Sequence, residues 1–277
     1  MSEALAAVAV ALADDELVIG HRHSEWTGLA PHIEEDVAFS SIAQDEIGHA
    51  AALYALAGAI VGRDPDALAL GRDPSEYRNA VLCERPNGDW AYTLARHWLY
   101  DTAEDVRLEA LARSADDALR ALATKMRREE RYHLLHAGTW LERVAQGPVE
   151  GRTRIAEALA RAYPDALALF EPLEREEEAV RAGWLPDAST ELRSRFAQRA
   201  TGQLDRLGLP TDIGAVADEA AEFVASSSGD LLAAGPAPPE PVAASGGGGR
   251  RGRHSADFEA LWEEMTRTYR VSPGATW

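Results

Sequence analysis

"QDEIGHA" (Gln44 to Ala50) and "REERYHL" (Arg128 to Leu134) decide how this chain is read. Each places a glutamate three residues before a histidine, Glu46 with His49 and Glu130 with His133. On an α-helix residues three apart share a face, so each pair projects in one direction. The bare spacing arises by chance in a charged helical protein, and its phase carries more information. In the first stretch the apolar stripe runs Phe39, Ile42, Glu46, His49, Leu53. In the second it runs Leu119, Leu122, Met126, Glu130, His133, Ala137, Trp140. The polar residues therefore occupy core positions.

The surrounding sequence is helical almost throughout. Alanine, leucine, glutamate and arginine dominate, and apolar residues recur at intervals of three and four. The pattern predicts helices over residues 3–27, 32–61, 89–113 and 115–144. Two more follow, over 152–181 with an interruption at Pro164 and over 189–207. Gly28 and Pro31 stop the first, and Asp89 after the "PNG" turn caps the third. The first and second helices, and the third and fourth, read as two copies of one hairpin.

Two buried Glu-x-x-His pairs need neutralising, because an unpaired carboxylate in a core costs several kcal/mol. Four-helix bundles meet this demand with a dinuclear metal site, using one carboxylate from each of two helices and a Glu-x-x-His from each of the other two. The first helix supplies Glu16 on the stripe Leu5, Val8, Leu12, Glu16, Ile19, His23, thirty residues before Glu46. On the third helix Leu94, His97, Asp101, Glu104 and Leu108 share a face, and Asp101 precedes Glu130 by twenty-nine. Asp101 is preferred to Glu104 and Asp105. The predicted ligands are Glu16, Glu46, His49, Asp101, Glu130 and His133. Asp45 and Glu129 are placed to accept the second ring N–H of the opposite hairpin's histidine. His21, His23, His97 and His136 are read as ordinary histidines. Oxygen-rich ligation with two imidazoles suits two iron ions, with manganese as the alternative.

Composition narrows the class. The single cysteine, Cys83, forms no internal disulfide, which fits a reducing cytoplasm. A formal net charge of -18 argues against nucleic acid as a partner. No apolar run approaches a membrane span, and no N-terminal leader is evident. The expected organisation is a helical domain over 1–233, a flexible Pro/Ala/Gly linker over 234–254 and a docking helix with tail over 255–277. Phe258, Leu261, Trp262 and Met265 form one face of that helix.

The words around the motifs resemble a known family. "ADDELVIGHRHSEWTGLAPHIEEDVAFSSIAQDEIGH", "ERPNGDWAYTLARHWLYD", "EERYHLLHAGTWLERVAQG" and the tail "GGGGRRGRH" with "SPGATW" are similar to the C-type subunit of bacterial phenylacetyl-CoA epoxidases. The resemblance implies a ferritin-like bundle with a four-helix metal-binding core. It further implies a multicomponent oxygenase that epoxidises the ring of an aromatic acyl-CoA, with electrons from a flavin and iron–sulfur reductase. The partner it implies is an A-type subunit, which in that family holds the catalytic di-iron centre; self-association is the alternative. C-type subunits of that family carry non-ligating residues at the positions of Glu16, Glu46, His49 and Glu130, whereas this chain keeps ligand-competent residues there. Its set matches the A-type pattern, with aspartate as one of the acids. A non-catalytic scaffold subunit and a ferritin-like ferroxidase are the competing readings. For the anionic CoA, the candidate cations are Arg127, Arg128 and Arg131, or Arg250, Arg251 and Arg253.

Overall fold

A computed structural model describes residues 3–211 and 247–272. The described residues are helical and contain no strand. Helix α1 (Glu3–Ser24) and α2 (Ile33–Val61) form the first hairpin. A connection follows with α3 (Pro65–Leu70), a 3-10 turn at Pro74–Glu76 and α4 (Val81–Glu84). The second hairpin is α5 (Trp90–Leu111) and α6 (Asp117–Ala145). Then come α7 (Val149–Leu167), a 3-10 turn at Ala168–Phe170, α8 (Glu176–Arg181) and α9 (Ser189–Arg206). After a 3-10 turn at Gly249–Arg251, α10 spans Ala256–Val271.

The helix limits follow from local chemistry. Asp89 accepts a hydrogen bond from the Tyr92 amide at 2.8 Å and so caps α5; Asp116 caps α6 through the Leu119 amide. Gly62 closes α2 in the left-handed conformation, φ 69°. Side-chain contacts fix the topology. Glu16 meets His49 and Tyr100, while Glu129 meets His49 and Asp45 meets His133. With His23 meeting Glu46 and Asp15 meeting Arg107, the order of contacts makes α1 antiparallel to α2 and α5, and α2 antiparallel to α6. The long connection between α2 and α5 crosses the bundle, as in ferritin-like folds.

Three sequence expectations are modified. Pro164 does not interrupt its helix: α7 continues through it to Leu167. The proline lies in the final turn, so its missing N–H frees one carbonyl, that of Ala160, and no further turn of helix has to be built on the gap. The helix predicted up to 181 instead ends there, and α8 is a separate turn and a half. Residues 247–254, assigned to the linker by composition, are packed against the bundle, with Arg250 buried. Positions 234–246 of that linker lie outside the described residues.

Helix α10 buries Phe258, Leu261, Trp262 and Met265 on this chain. Its Trp262 Nε1 donates to the Arg72 carbonyl at 3.0 Å, and Phe258 meets the Tyr77 ring edge-on at 5.4 Å. No helix among the described residues is long and apolar enough to cross a membrane.

Candidate metal centre

Glu16 on α1, Glu46 and His49 on α2, Asp101 on α5, and Glu130 and His133 on α6 are all buried, none more than 1% exposed. The core stripes carry them inward as the phase requires. At this height α1 and α2 approach closely at Gly20, where a Cβ would come within 2.9 Å of Ile47 Cγ1 and 3.3 Å of Glu46 Cβ. The missing side chain is what lets Glu46 sit beside α1.

Glu16, His49 and Glu130 form the tightest group, with one ligand-type atom from each lying within 4.8 Å of the others. His49 Nδ1 is 3.3 Å from Glu16 Oε2 and 3.5 Å from Glu130 Oε1. His133 Nδ1 is 3.1 Å from the same Glu130 oxygen. His133, Glu46 and Asp101 stand outside that group of three. Glu46 Oε2 meets His23 Nδ1 at 3.0 Å, and Asp101 Oδ2 lies 3.2 Å from His97 Nδ1. Both imidazoles of the motif are held from behind. His49 Nε2 contacts Glu129 at 2.8 Å and His133 Nε2 contacts Asp45 at 3.2 Å, each across to the other hairpin. Those contacts leave Nδ1 of each ring facing the interior.

The residue pattern fits a cation. Both oxygens of Asp101, both of Glu130, Glu46 Oε1 and His133 Nδ1 are buried without a well-aligned hydrogen bond, although imidazole nitrogens stand 3.1 to 3.5 Å from Asp101 Oδ2 and Glu130 Oε1. Native cores rarely leave such atoms unmatched, and here they are carboxylate oxygens together with ring nitrogens, including His97 Nδ1 and His23 Nε2, carried by all four bundle helices. Oxygen and imidazole donors of this kind suit iron or manganese.

A family described as "Phenylacetic acid catabolic protein" matches residues 1–221. This chain belongs to that family. It is 34% identical over 168 residues to the C-type subunit of the 1,2-phenylacetyl-CoA epoxidase of Escherichia coli (strain K12), covering 60% of this chain and 68% of that relative. It is 26% identical over 202 residues to the A-type subunit of the same epoxidase, covering 68% of this chain and 65% of that relative, just under two thirds of its length.

The electrostatics of the centre follow from packing carboxylates together. Burial and the neighbouring carboxylates of Glu16, Glu130 and Asp101 push Glu46 well above the usual range. Asp101 is raised in the same way, by burial and Glu130. Burial raises Glu104 to about 8 even though Arg107 pairs with it. Burial opposes a charge on His133 and His49, yet Glu130 lifts His133 to about 9, and Glu130 with Glu16 lifts His49 to about 12. Glu130 falls to about 2, because the two imidazoles outweigh its burial. Each hold on a proton is a site where a metal cation competes.

Several side chains at the centre escape a reading by sequence. His23 and His97, expected to be ordinary histidines, are fully buried against Glu46 and Asp101. A line of contacts runs on from His97 Nε2 to His136 Nδ1 at 3.4 Å, and from His136 Nε2 to Glu35 at 2.9 Å. Phe39 packs against all three rings, with centroids 5.2 to 5.8 Å away. Tyr100 donates to Glu16 Oε1 at 3.3 Å. The signal is present for two of them: His23 shares the stripe of Glu16, and His97 shares the face of Asp101. Arg127 and Arg250, offered as cations for CoA, are engaged elsewhere, Arg127 with Asp105 and Glu109 and Arg250 with Asp15.

Proposed function

We propose that this chain is a component of a phenylacetyl-CoA epoxidase-type oxygenase that carries its own carboxylate-bridged di-iron centre. The observation that carries this reading is the burial of Glu16, Glu46, Asp101 and Glu130 together, with oxygens of the last three lacking an aligned hydrogen bond, beside two imidazoles that are oriented from behind. Glu16, Glu46, His49, Asp101, Glu130 and His133 would hold the two metals, through Nδ1 of each histidine. When bound, such a centre supplies dioxygen activation to an organic substrate.

The chain's own residues prepare that chemistry. Glu129 and Asp45 fix the tautomer and ring plane of His49 and His133. Phe39 and the rings around it exclude water, which strengthens each charge interaction inside. Tyr100 holds Glu16 in place through its hydroxyl, and His23 holds Glu46 through its ring Nδ1. Glu35, His136 and His97 form a hydrogen-bonded line along which a proton can be held near Asp101. Arg128 and Arg131 on α6 suit the phosphates of an acyl-CoA. An external flavin and iron–sulfur reductase, an A-type partner subunit and a cytoplasmic setting complete the reading.

A second reading has its own support. Identity is higher to the C-type relative than to the A-type one, which favours a scaffold role beside a catalytic partner. Metal analysis of protein purified without chelator separates the two. About two iron ions per chain, with oxygen-dependent turnover lost in Glu46→Ala, are expected for the di-iron component. A metal-free chain that still assembles with an A-type partner overturns it in favour of the scaffold.

A further inference from the structure

Glycine and arginine make up most of residues 247–254, and their composition gives no reason for burial. The segment nevertheless lies against α1, the connection around residues 75–84 and the turn at Ala168–Phe170. Gly252 adopts φ 71° at a point where an added Cβ would collide with the Ser75 carbonyl, so no side chain fits. Arg250 is 3% exposed. Its guanidinium grips Asp15 with two bonds, Nη1 to Oδ1 at 3.0 Å and Nη2 to Oδ2 at 2.6 Å. The same two nitrogens donate to the carbonyls of Ala11, Arg78 and Leu169 at 3.1, 2.8 and 2.9 Å.

Asp15 is the residue before Glu16. Neighbours on a helix point about 100° apart, so Asp15 faces the arm while Glu16 faces the four-helix interior. Asp15 Oδ2 also accepts from Arg107 Nη1 at 2.6 Å, and Arg107 Nη2 donates to Glu104. Glu104 in turn lies within electrostatic reach of Glu16 and Glu130. A continuous line of charge-assisted hydrogen bonds therefore joins the C-terminal arm to the edge of the metal centre: Arg250, Asp15, Arg107, Glu104.

We infer that Arg250 is a positioning residue for the metal centre, acting through Asp15. Its fork fixes the rotation of α1 at Ala11 and Asp15, and so sets where Glu16 points. It also supplies half of the positive charge around Asp15, which leaves Arg107 free to bridge to Glu104. Without Arg250, Arg107 is the one guanidinium left to Asp15 and turns toward it. Glu104 then loses its donor and can move to the ligand carboxylates, changing the number of oxygens presented to a metal. The inference rests on the metal reading above.

Cobalt(II) is the probe, because its visible bands report the number and geometry of its ligands. Full-length wild type, Arg250→Met, Arg250→Lys and the double variant Asp15→Asn/Arg250→Met are titrated against a competing chelator. Expected are a ten- to hundredfold loss of affinity and shifted bands in Arg250→Met, as for other groups that orient metal ligands. Arg250→Lys recovers part of the loss, since an ammonium cannot reproduce the two-pronged bond. Should Arg250→Met fail to fold, the double variant carries the test: α1 is still unfastened at Ala11 and position 15, and a smaller shift in the same direction is expected because Arg107 then keeps Glu104. Wild-type affinity and spectrum in the folded variant overturn the positioning role while the metal reading stands. A wild-type chain that takes up no cobalt overturns both.

Discussion

Asp14, Asp15 and Glu16 follow one another on α1, all buried, and face two different kinds of interior. Asp14 is met by Arg72, by the Tyr54 hydroxyl and by the Arg78 amide. Asp15 is met by Arg107, Arg250 and the Ala80 amide. Glu16 meets an imidazole and a phenol, and beyond them more carboxylates. On the aspartate side every carboxylate oxygen has a well-aligned donor from the chain itself; on the glutamate side Asp101 and Glu130 face only imidazole nitrogens at 3.1 to 3.5 Å, none in hydrogen-bonding alignment. Both sides bury charge, but only one neutralises it with arginine. The contrast separates a structural polar core from one that fits a cation.

The comparison breaks most visibly by removing one partner from each side. His49→Ala/His133→Ala should abolish iron or cobalt uptake while helix content by circular dichroism stays near wild type. Retention of both metals in the double variant would sink the ligand assignment. On the paired side, Arg72→Met strands Asp14 and should cost about 3–5 kcal/mol in urea unfolding, with the metal stoichiometry of the folded fraction unchanged. If Arg72→Met lost metal while keeping its stability, the division between the two sides would be false.

Acidity sharpens the same contrast, because most groups of the metal side hold protons more tightly on folding while Asp15 holds its proton less tightly; Glu130, at about 2, behaves like Asp15. His133 and His49 rise to about 9 and about 12 on folding from an ordinary 6.5, so their stabilisation is full below that value and fades as pH rises through 9. Glu46 and Asp101, also raised, act in the same direction. Asp15 is lowered: burial opposes its charge, but Arg250 and Arg107 prevail, and its contribution is lost only in acid. The metal-free protein should therefore melt several degrees lower at pH 9 than at pH 6.5. Saturating metal should remove that slope by taking the place of the protons, and metal uptake itself should release protons and weaken in acid. Parallel melting curves with and without metal would refute this account.

The smallest effect belongs to the groups behind the imidazoles. Asp45→Asn and Glu129→Gln should each weaken metal binding about tenfold, with little change in stability, because both carboxylates reach solvent and lose little on replacement. An isothermal titration that found neither change would reduce them to surface charges.

Periodicity makes much of this arrangement legible. The stripes of α2 and α6 place Glu46, His49, Glu130 and His133 in the interior, and α1 and α5 offer Glu16 and Asp101 at matching heights. The all-α bundle follows from the same stripes. What periodicity cannot show is which residue stands opposite. Asp14 and Asp15 look like solvated acids beside Glu16, since their arginines come from positions 72, 107 and 250. His23 is on the right stripe, but a histidine at a core position is more often an ordinary packed residue, and only the facing Glu46 gives it a role. The arm eludes composition for a related reason. Glycine signals freedom in a sequence, yet a glycine can equally be required where two backbones touch. Pro164 shows the converse, a helix breaker tolerated because little helix remained to break.

The tie between Asp15 and Arg250 also spans time. Ribosomal synthesis delivers the aspartate early and its second arginine 235 residues later. Until then α1 carries a carboxylate whose one available guanidinium is shared with Glu104. A chain cut short before the arm cannot complete this bond. The interior of the protein thus registers whether its own C-terminal segment has arrived.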